Sequence, residues 1–257
     1  MAVRLEKQDS IGHVVLDRPP ANSYDKAFMD ELEAAIEEAR RDDAVKAILL
    51  RSANEKFFSA GADVSVFAKS GLDEQNAFVV CANDAMGKFE STPKVVVAAI
   101  NGHCLGGGLE MALCCDFRIA AEGSYRIGLP EVTLGLLPGT GGTQRLPRLI
   151  GRQKALDFML RGATMPPQDA LAAGIVDEVV PAGKLVEHSL ERARIYASGP
   201  TFAIGRIKLA TVQGFGMRLE EGLKRERELL IELFKSEDAK EGVTAFVEKR
   251  KPNYKGK

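Results

Sequence analysis

Two periods of apolar residues alternate along the first part of the chain. Alternating or continuous apolar runs predict strands over residues 11–16, 45–51, 94–100, 117–120 and 175–180. The helical period lies between them, over residues 27–40, over residues 73–89 and from about Gly107 onward. Strand, helix and strand in repeated succession predict an α/β fold with a parallel sheet and crossover helices.

The last quarter of the chain has an almost wholly helical pattern, which begins at about Glu191. Pro200 opens one helix, and residues 218–235 form a long charged one. The apolar stripe of that long helix consists of Leu219, Leu223, Leu230 and Phe234. Such a stripe predicts packing, either inside the subunit or against a neighbouring subunit. We therefore divide the chain into a core, residues 1–195, and a helical region for assembly, residues 196–257.

Composition and charge exclude several classes of protein. The 257 residues are 45% hydrophobic, and 35 Lys and Arg residues balance 36 Asp and Glu residues, so no overall field attracts nucleic acid or an anionic membrane. No stretch approaches the roughly 18 apolar residues of a membrane span, and the alternating N-terminus does not read as a signal peptide. The four cysteines include no CxxC pair and predict small core residues. We expect a reduced, cytoplasmic protein.

Three consecutive glycines in the stretch NGHCLGGGLE, residues 101–110, lie at the predicted start of a helix. Glycine disfavours helix, so another factor must favour it here. The first N–H groups of a helix have no intrahelical acceptor, and bare glycine lets a ligand oxygen approach them. P-loop and GxGxxG patterns do not fit, because Leu109 and Glu110 follow the glycines and a carboxylate repels phosphate. The stretch therefore predicts a site for a transient oxyanion.

An oxyanion site usually needs a second donor, and the stretch FFSAGADV, residues 57–64, is a candidate source. It follows the strand predicted at residues 45–51 and contains small residues. The alternative interpretation is a tight turn whose Asp63 caps the next short helix.

Two carboxylates accompany these stretches. Glu131 follows Pro130 in an otherwise apolar run, where burial would raise its pKa toward the range of a general acid. Alternatively, Glu131 faces outward on a loop. Glu110, in the first turn of a helix, would stabilise the helix dipole by ~0.3–1 kcal/mol without any catalytic role.

The residue patterns of other chemistries are absent from the sequence. His13, His103 and His188 are widely separated, and there is no HExxH motif, no paired Cys and His set and no GxSxG elbow. His103, beside the glycines, is interpreted as packing locally. We expect neither a metal site nor Ser/His catalysis.

Four stretches resemble the signature motifs of the crotonase superfamily, and they are closest to those of enoyl-CoA hydratase. In chain order they are FSAGADV, AAINGHCLGGGLEMALCCDFRIA, LPEVTLGLLPGTGGTQRLPRLIG and AFVEKRKPNY. The resemblance extends over nearly the whole chain. It implies a crotonase-like spiral of ββα units with a C-terminal helical region that builds trimers, commonly paired as hexamers.

The resemblance also implies roles for individual residues. In that family, the residue after the glycine of the AGAD-like turn and the middle glycine of the GGG run donate the two oxyanion-hole N–H groups, here those of Ala62 and Gly107. The two catalytic glutamates match Glu110 and Glu131. Acyl-CoA contacts are implied for Ala60, Asp63, Val64, Phe246 and Lys249.

The activity that the resemblance implies is reversible hydration of a trans-2-enoyl-CoA, with Glu110 as the base and Glu131 as the acid. No bound cofactor is expected, because coenzyme A arrives as part of the substrate. Double-bond isomerisation, hydration of methylglutaconyl-CoA and reaction of a cyclic dienoyl-CoA stay open. An RNA-binding relative is disfavoured because the helix of residues 27–41 is acidic, and a purely structural subunit would have no use for two intact acids.

One segment departs from the family pattern. Residues 21–25, Ala-Asn-Ser-Tyr-Asp, stand where the family commonly has a different short run before its first helix. The resemblance puts this run near the adenine side of coenzyme A, and we expect the departure to alter the fit of the ligand.

Overall fold

The computed structural model describes residues 1–257 apart from the side chain of Phe67, and its strands form two sheets. The strands are β1 Val3–Gln8, β2 Ile11–Leu16, β3 Ala47–Ser52, β4 Phe57–Ser59, β5 Val95–Ile100, β6 His103–Leu105, β7 Phe117–Ala121, β8 Ile127–Gly128, β9 Thr164–Met165 and β10 Glu178–Val180. The larger sheet has the order β1-β2-β3-β5-β7-β10, and the smaller one the order β4-β6-β8-β9. The pairs β1/β2 and β8/β9 are antiparallel, and the other neighbours are parallel.

Helices connect the strands and form the C-terminal region. They are α1 Lys26–Arg41, α2 Val64–Phe67, α3 Leu72–Ser91, α4 Gly107–Leu113, α5 Gly142–Ile150, α6 Arg152–Leu160, α7 Pro167–Ala173, α8 Leu185–Ala197, α9 Thr201–Gly214, α10 Leu219–Phe234 and α11 Glu237–Val247. A 3₁₀ helix covers Glu131–Leu134, and another covers Ala182–Lys184. The expected α/β architecture is confirmed, because parallel strands alternate with helices over most of the core.

The core lies on both faces of the larger sheet. Strands β2 and β5 are buried at every residue, which explains their continuous apolar character in the sequence. Helix α1 packs against β1 and α3, while α8 packs against β3 and β5. With both faces covered, the sheet holds the ends of β3 and β5 in fixed positions, and the segments that follow these strands form the site described below.

Two predictions from the periodicity were incomplete. The strand predicted over residues 175–180 pairs only at residues 178–180. Ile175 and Val176 are buried outside the ladder, and the carbonyl oxygen of Ile175 accepts from Nε of Arg118. The smaller sheet was not predicted at all, because its strands of two or three residues are too short to display a period.

The apolar stripe of α10 does not pack inside the subunit. Leu219 is 78% exposed and Phe234 is 68% exposed, whereas the buried residue of this helix is Leu229. The sequence left two interpretations of this stripe open, and the interpretation that it packs inside the subunit is therefore wrong. The domain boundary after residue 195 lies in the last turn of α8 and stays a prediction. Among the described residues, no helix is both long enough and apolar enough to span a membrane.

Candidate active site

A pocket of about 500 Å³ lies where the ends of β4 and β6 meet the 3₁₀ helix of residues 131–134. Glu110 and Glu131 both line it, together with Ala62 and Gly107. Most of the remaining lining is apolar, from α3 and from the leucines that follow Glu131. The four residues that the sequence assigned to catalysis and to the oxyanion hole are therefore brought to one cavity.

The two loops with the candidate amides pack directly against each other. Gly61 has a φ of +89°, and a Cβ added there would lie 2.8 Å from the backbone nitrogen of Gly107. Backbone bonds from Tyr24 N to Gly61 O and from Asp63 N to Tyr24 O, both 2.9 Å, hold the first loop in place. Among the described residues, no acceptor is found for the backbone N–H of Ala62 or of Gly107. Two unused donors thus lie side by side at the pocket wall.

Each of the three consecutive glycines lies close to a different neighbour. A Cβ on Gly106, whose φ is +53°, would lie 3.0 Å from Oε1 of Glu131. One on Gly107 would overlap the hydroxyl of Tyr24, and one on Gly108 would overlap the carbonyl oxygen of Ser59. Approach of a ligand oxygen was the explanation offered from the sequence. The structure adds that close packing of the protein itself excludes a side chain at Gly107 and Gly108, and that the positive φ of Gly106 favours glycine there.

Three donors hold the carboxylate of Glu110 in place. Its Oε1 accepts from the backbone N–H of Thr140 at 2.9 Å and of Gly142 at 2.7 Å, and its Oε2 accepts from the hydroxyl of Thr140. Only 2% of Glu110 is exposed, and burial raises its pKa, while these bonds from Thr140 and Gly142 oppose the rise. A dipole-stabilising surface role is therefore excluded, because the side chain is buried and points into the pocket.

The loop that carries these donors is itself fixed from behind. Arg145 donates to the carbonyl oxygen of Thr140 at 2.9 Å and forms a bidentate ion pair with Glu90 at 2.8 and 2.7 Å. Gly141, with a φ of +111°, leaves room for that guanidinium group, because an added Cβ would overlap it. The arrangement explains the sequence PGTGGTQR as a cradle for Glu110.

Glu131 lies in a different environment in the same pocket. Neither carboxylate oxygen has a hydrogen-bond partner among the described residues, although both atoms are buried. Burial raises the pKa of Glu131 to about 7, and the nearby charge of Glu110 adds to the rise. The expectation of a desolvated carboxyl at this position is confirmed, and the outward-facing alternative is wrong.

The other predicted substrate contacts are divided between two places. Ala60 and Val64 line the pocket with the glutamates. The carboxylate of Asp63 accepts from the backbone N–H of Ser65 at 3.0 Å, so it caps α2, as the alternative interpretation held. Phe246 and Lys249 lie at the exposed end of α11, outside the lining of this pocket, and their contact with a ligand stays a prediction.

Sequence reasoning missed three residues of the site. Thr140 and Gly142 hold Glu110, and the only signal for them was their membership of the loop PGTGGTQR. Tyr24 is 1% exposed and lines the pocket together with both glutamates, and the position of residues 21–25 relative to the adenine of coenzyme A stays a prediction. The place of Tyr24 in the departing segment of residues 21–25 was the available signal. His103 packs its ring on Phe57, with ring centroids 5.1 Å apart, as expected.

Comparison with known proteins gives one consistent match. The Enoyl-CoA hydratase/isomerase family matches residues 6–257. A probable enoyl-CoA hydratase from Rhizobium meliloti (strain 1021) is 41% identical over 98% of this chain and 96% of its own length. A short-chain-enoyl-CoA hydratase from Clostridium acetobutylicum is 38% identical over 97% and 95%. The crystal structure of an enoyl-CoA hydratase from Geobacillus kaustophilus HTA426 is 44% identical, covers 100% of this chain and 97% of that one, and superposes with a TM-score of 0.96.

Proposed function

Because the chain belongs to the enoyl-CoA hydratase/isomerase family, within the crotonase superfamily, we propose that it catalyses the reversible hydration of a trans-2-enoyl-CoA to the 3-hydroxyacyl-CoA. One observation carries the assignment. Two glutamates of opposite environment, Glu110 and Glu131, line one pocket, and adding water across a double bond needs a base and an acid on the same substrate.

The oxyanion hole consists of the backbone N–H groups of Ala62 and Gly107. Their freedom from protein acceptors and their position side by side at the pocket wall support this role. They stabilise the negative charge that develops on the thioester oxygen as C3 is attacked. A donor of this kind contributes roughly 3–4 kcal/mol to transition-state stabilisation in other enzymes.

Glu110 acts as the base. It takes one proton from water while the water oxygen forms a bond to C3, and the π electrons of the double bond move toward C2 and the thioester oxygen. The three donors on Glu110 favour its ionised form, as a base requires.

Glu131 acts as the acid. Its O–H bond breaks as the proton moves to C2, where the electron pair of the enolate forms the new C–H bond. A pKa of about 7 leaves a large protonated fraction at neutral pH, as an acid requires. Between turnovers, one proton returns from Glu110 to Glu131 through solvent.

The substrate supplies the remaining chemistry. The thioester carbonyl makes C3 electrophilic, so the proposed reaction needs no metal or redox cofactor, and coenzyme A is part of the substrate. Ala60 and Val64 lie at the pocket wall, where they would contact the acyl group. Asp63 would position this loop through its cap on α2.

The C-terminal helices serve assembly into a trimer or a dimer of trimers. Large apolar side chains of α10 and α11 are exposed in the single chain, and burying them against another copy would be favourable. Phe246 and Lys249 would then contact coenzyme A, partly across the subunit boundary. The proposed cytoplasmic location is supported by four cysteines that are all free, three of them buried.

The experiment is an ultraviolet assay of purified protein with crotonyl-CoA, with the Glu131→Gln variant as the control. We expect rapid loss of the conjugated enoyl-thioester absorbance with the native protein but not with the variant, and formation of 3-hydroxybutyryl-CoA by mass spectrometry. Appearance of the conjugated band from a 3-enoyl-CoA, with no loss from crotonyl-CoA, would identify an isomerase instead. Branched and cyclic enoyl-CoA substrates, assayed in parallel, define the acyl group.

A further inference from the structure

We propose that the hydroxyl of Tyr24 is a third hydrogen-bond donor to the thioester oxygen, beside the N–H groups of Ala62 and Gly107. The proposal deepens the proposed function and depends on it for the identity of the ligand. It makes Tyr24 a catalytic residue, since the hydroxyl would touch the substrate at the atom on which charge develops.

The backbone of Tyr24 forms hydrogen bonds on both sides of the first donor, the N–H of Ala62. Its N–H donates to Gly61 O and its carbonyl oxygen accepts from Asp63 N, so Ala62 lies between two backbone bonds to one residue. The side chain reaches the second donor. Its hydroxyl oxygen occupies the space in which Gly107 would carry a Cβ, so it lies directly against the backbone of Gly107. Tyr24 therefore connects both loops of the oxyanion hole.

The ring holds the hydroxyl in this position with little freedom. It packs against Phe28 and Phe78, with ring centroids 6.2 and 5.9 Å away, and only 1% of the residue is exposed. A buried phenol in a fixed rotamer loses little entropy when a ligand binds, which favours a preorganised donor.

The hydrogen of this hydroxyl is poorly used within the protein. Its polar neighbour is Oγ1 of Thr140 at 3.4 Å, which is long for a bond between two hydroxyl groups. Thr140 commits its own hydrogen to Oε2 of Glu110, so only Tyr24 can donate across that long contact. A thioester oxygen in the pocket would offer a better acceptor, and a buried hydroxyl gains by finding one.

The Tyr24 hydroxyl is neutral and protonated, as a hydrogen-bond donor must be. Burial, and the negative charge of Glu110 nearby, raise the pKa of Tyr24 above its ordinary value, so the hydroxyl keeps its hydrogen at every working pH. A neutral donor strengthens its bond as the oxygen becomes an oxyanion, and such a bond stabilises the transition state more than the ground state.

Tyr24→Phe tests the proposal by isotope-edited infrared difference spectroscopy. The probe is butyryl-CoA labelled with ¹³C at the carbonyl carbon, a saturated thioester that cannot be hydrated. Native protein should shift the bound carbonyl band to lower frequency than in water, and the variant should lose part of that shift. In the ultraviolet assay, kcat for crotonyl-CoA should fall roughly 10²- to 10³-fold, the range for loss of one oxyanion donor.

Two further variants separate this role from structural ones. Tyr125→Phe is the matched control, because its buried hydroxyl bonds Ile100 O and Ala121 O away from the pocket lining, so the carbonyl band should not change. Thr140→Val removes the contact through which Tyr24 could act on Glu110. If Tyr24 acted only through Thr140, both variants would slow turnover with the carbonyl band of bound butyryl-CoA unchanged, and the proposal would be overturned.

Failure of this proposal is distinguishable from failure of the proposed function. An unchanged carbonyl band in Tyr24→Phe, with full hydration that Glu131→Gln still abolishes, overturns the role of Tyr24 and leaves hydration in place. A band shift that depends on Tyr24 in a protein that does not hydrate crotonyl-CoA supports the donor and rejects the reaction.

Discussion

Glu110 and Glu131 line the same pocket, but the residues around the two carboxylates differ in the hydrogen-bond donors that they offer. Glu110 extends from α4 into a cradle of two backbone N–H groups and the hydroxyl of Thr140. Glu131 begins a short 3₁₀ helix, lies against Gly106 and receives no hydrogen bond from any other described residue. Burial raises the pKa of both groups. Donors from two other residues, Thr140 and Gly142, oppose the rise for Glu110, whereas only its own backbone N–H opposes the rise for Glu131.

The difference shows how two identical side chains obtain different roles. Donors stabilise the charged form of a carboxylate, and desolvation without donors stabilises the neutral form. The cradle therefore favours a base at Glu110, and the bare apolar wall favours an acid at Glu131. If this division is correct, the two positions should respond differently to the same chemical change.

The largest expected effect comes from replacing each glutamate by glutamine. Both variants should lower hydration of crotonyl-CoA by roughly 10²- to 10⁴-fold, the usual contribution of a general acid or base. Exchange of the C2 hydrogens of butyryl-CoA with D₂O should separate them, because only Glu131 handles that proton. Glu110→Gln should retain exchange and Glu131→Gln should lose it. The reverse pattern by mass spectrometry would exchange the two roles, and the exposed Glu187→Gln serves as the control.

The second effect is the pH dependence of the two reaction directions. Glu131 must be protonated for hydration, so kcat/KM should fall about tenfold per pH unit above a pKa near 7. Dehydration of 3-hydroxybutyryl-CoA needs Glu110 protonated and Glu131 ionised. That form binds the same number of protons as the form that hydrates, so kcat/KM for dehydration should fall over the same pH range. Initial rates in both directions between pH 5 and 9 test this. Because hydration takes up no net proton, the two profiles must run parallel, and a kcat/KM that stays level between about pH 6 and 9 would contradict an acid with a pKa near 7 at this position.

A smaller effect is expected from removing one of the three hydrogen-bond donors to Glu110. Thr140→Val removes one hydrogen bond to a charged group, worth about 1.5–3 kcal/mol, and leaves both backbone donors. The pKa of Glu110 should rise, so the acidic limb of the kcat profile should move to higher pH. Thr133→Val is the matched control near Glu131, since its hydroxyl donates to the carbonyl oxygen of Pro130 and not to a glutamate, and it should leave that limb in place.

The smallest effect concerns stability. The folded pKa of Glu131 lies above the ordinary glutamate value of 4.5, so its ionisation should lower the free energy of unfolding as pH rises from about 4.5 to 7. At about 1.4 kcal/mol per pKa unit, with a discount for partial exposure, the loss is at most about 3 kcal/mol. Glu131→Gln should therefore be stabilising relative to the native protein at pH 8 but not at pH 4. Urea unfolding at both pH values measures this, and equal differences would argue that Glu131 is not desolvated.

Most of the larger sheet could be predicted from the sequence. Strand β2 was predicted over its observed residues, and α1 and α3 were predicted to within two residues at each end, because their burial imposes clear periods. The strands of the smaller sheet could not be predicted from the sequence. Their two or three residues are specified by partners distant in the chain, as when Phe57 pairs with His103.

Residues of the site could be predicted only where a recognisable sequence motif contained them. Glu110, Glu131, Ala62 and Gly107 followed from their sequence stretches, although the stretches alone could not show that they share a pocket. Thr140 was missed because a threonine in a glycine-rich loop has many possible functions. Tyr24 entered the sequence analysis only as part of the departing segment of residues 21–25, because its separation from Thr140 by 116 positions leaves no local pattern that places it in the site.

The sequence by itself therefore determined the α/β class, the helical end of the chain and the identity of the two carboxylates, since each depends on local period or local motif. Tertiary structure decided which carboxylate receives donors from other residues, that Gly107 and Gly108 have no room for a side chain, and that Tyr24 faces the oxyanion loops. Those properties depend on atoms brought together across the fold, and hydrogen bonds and desolvation act only at the distances that folding creates.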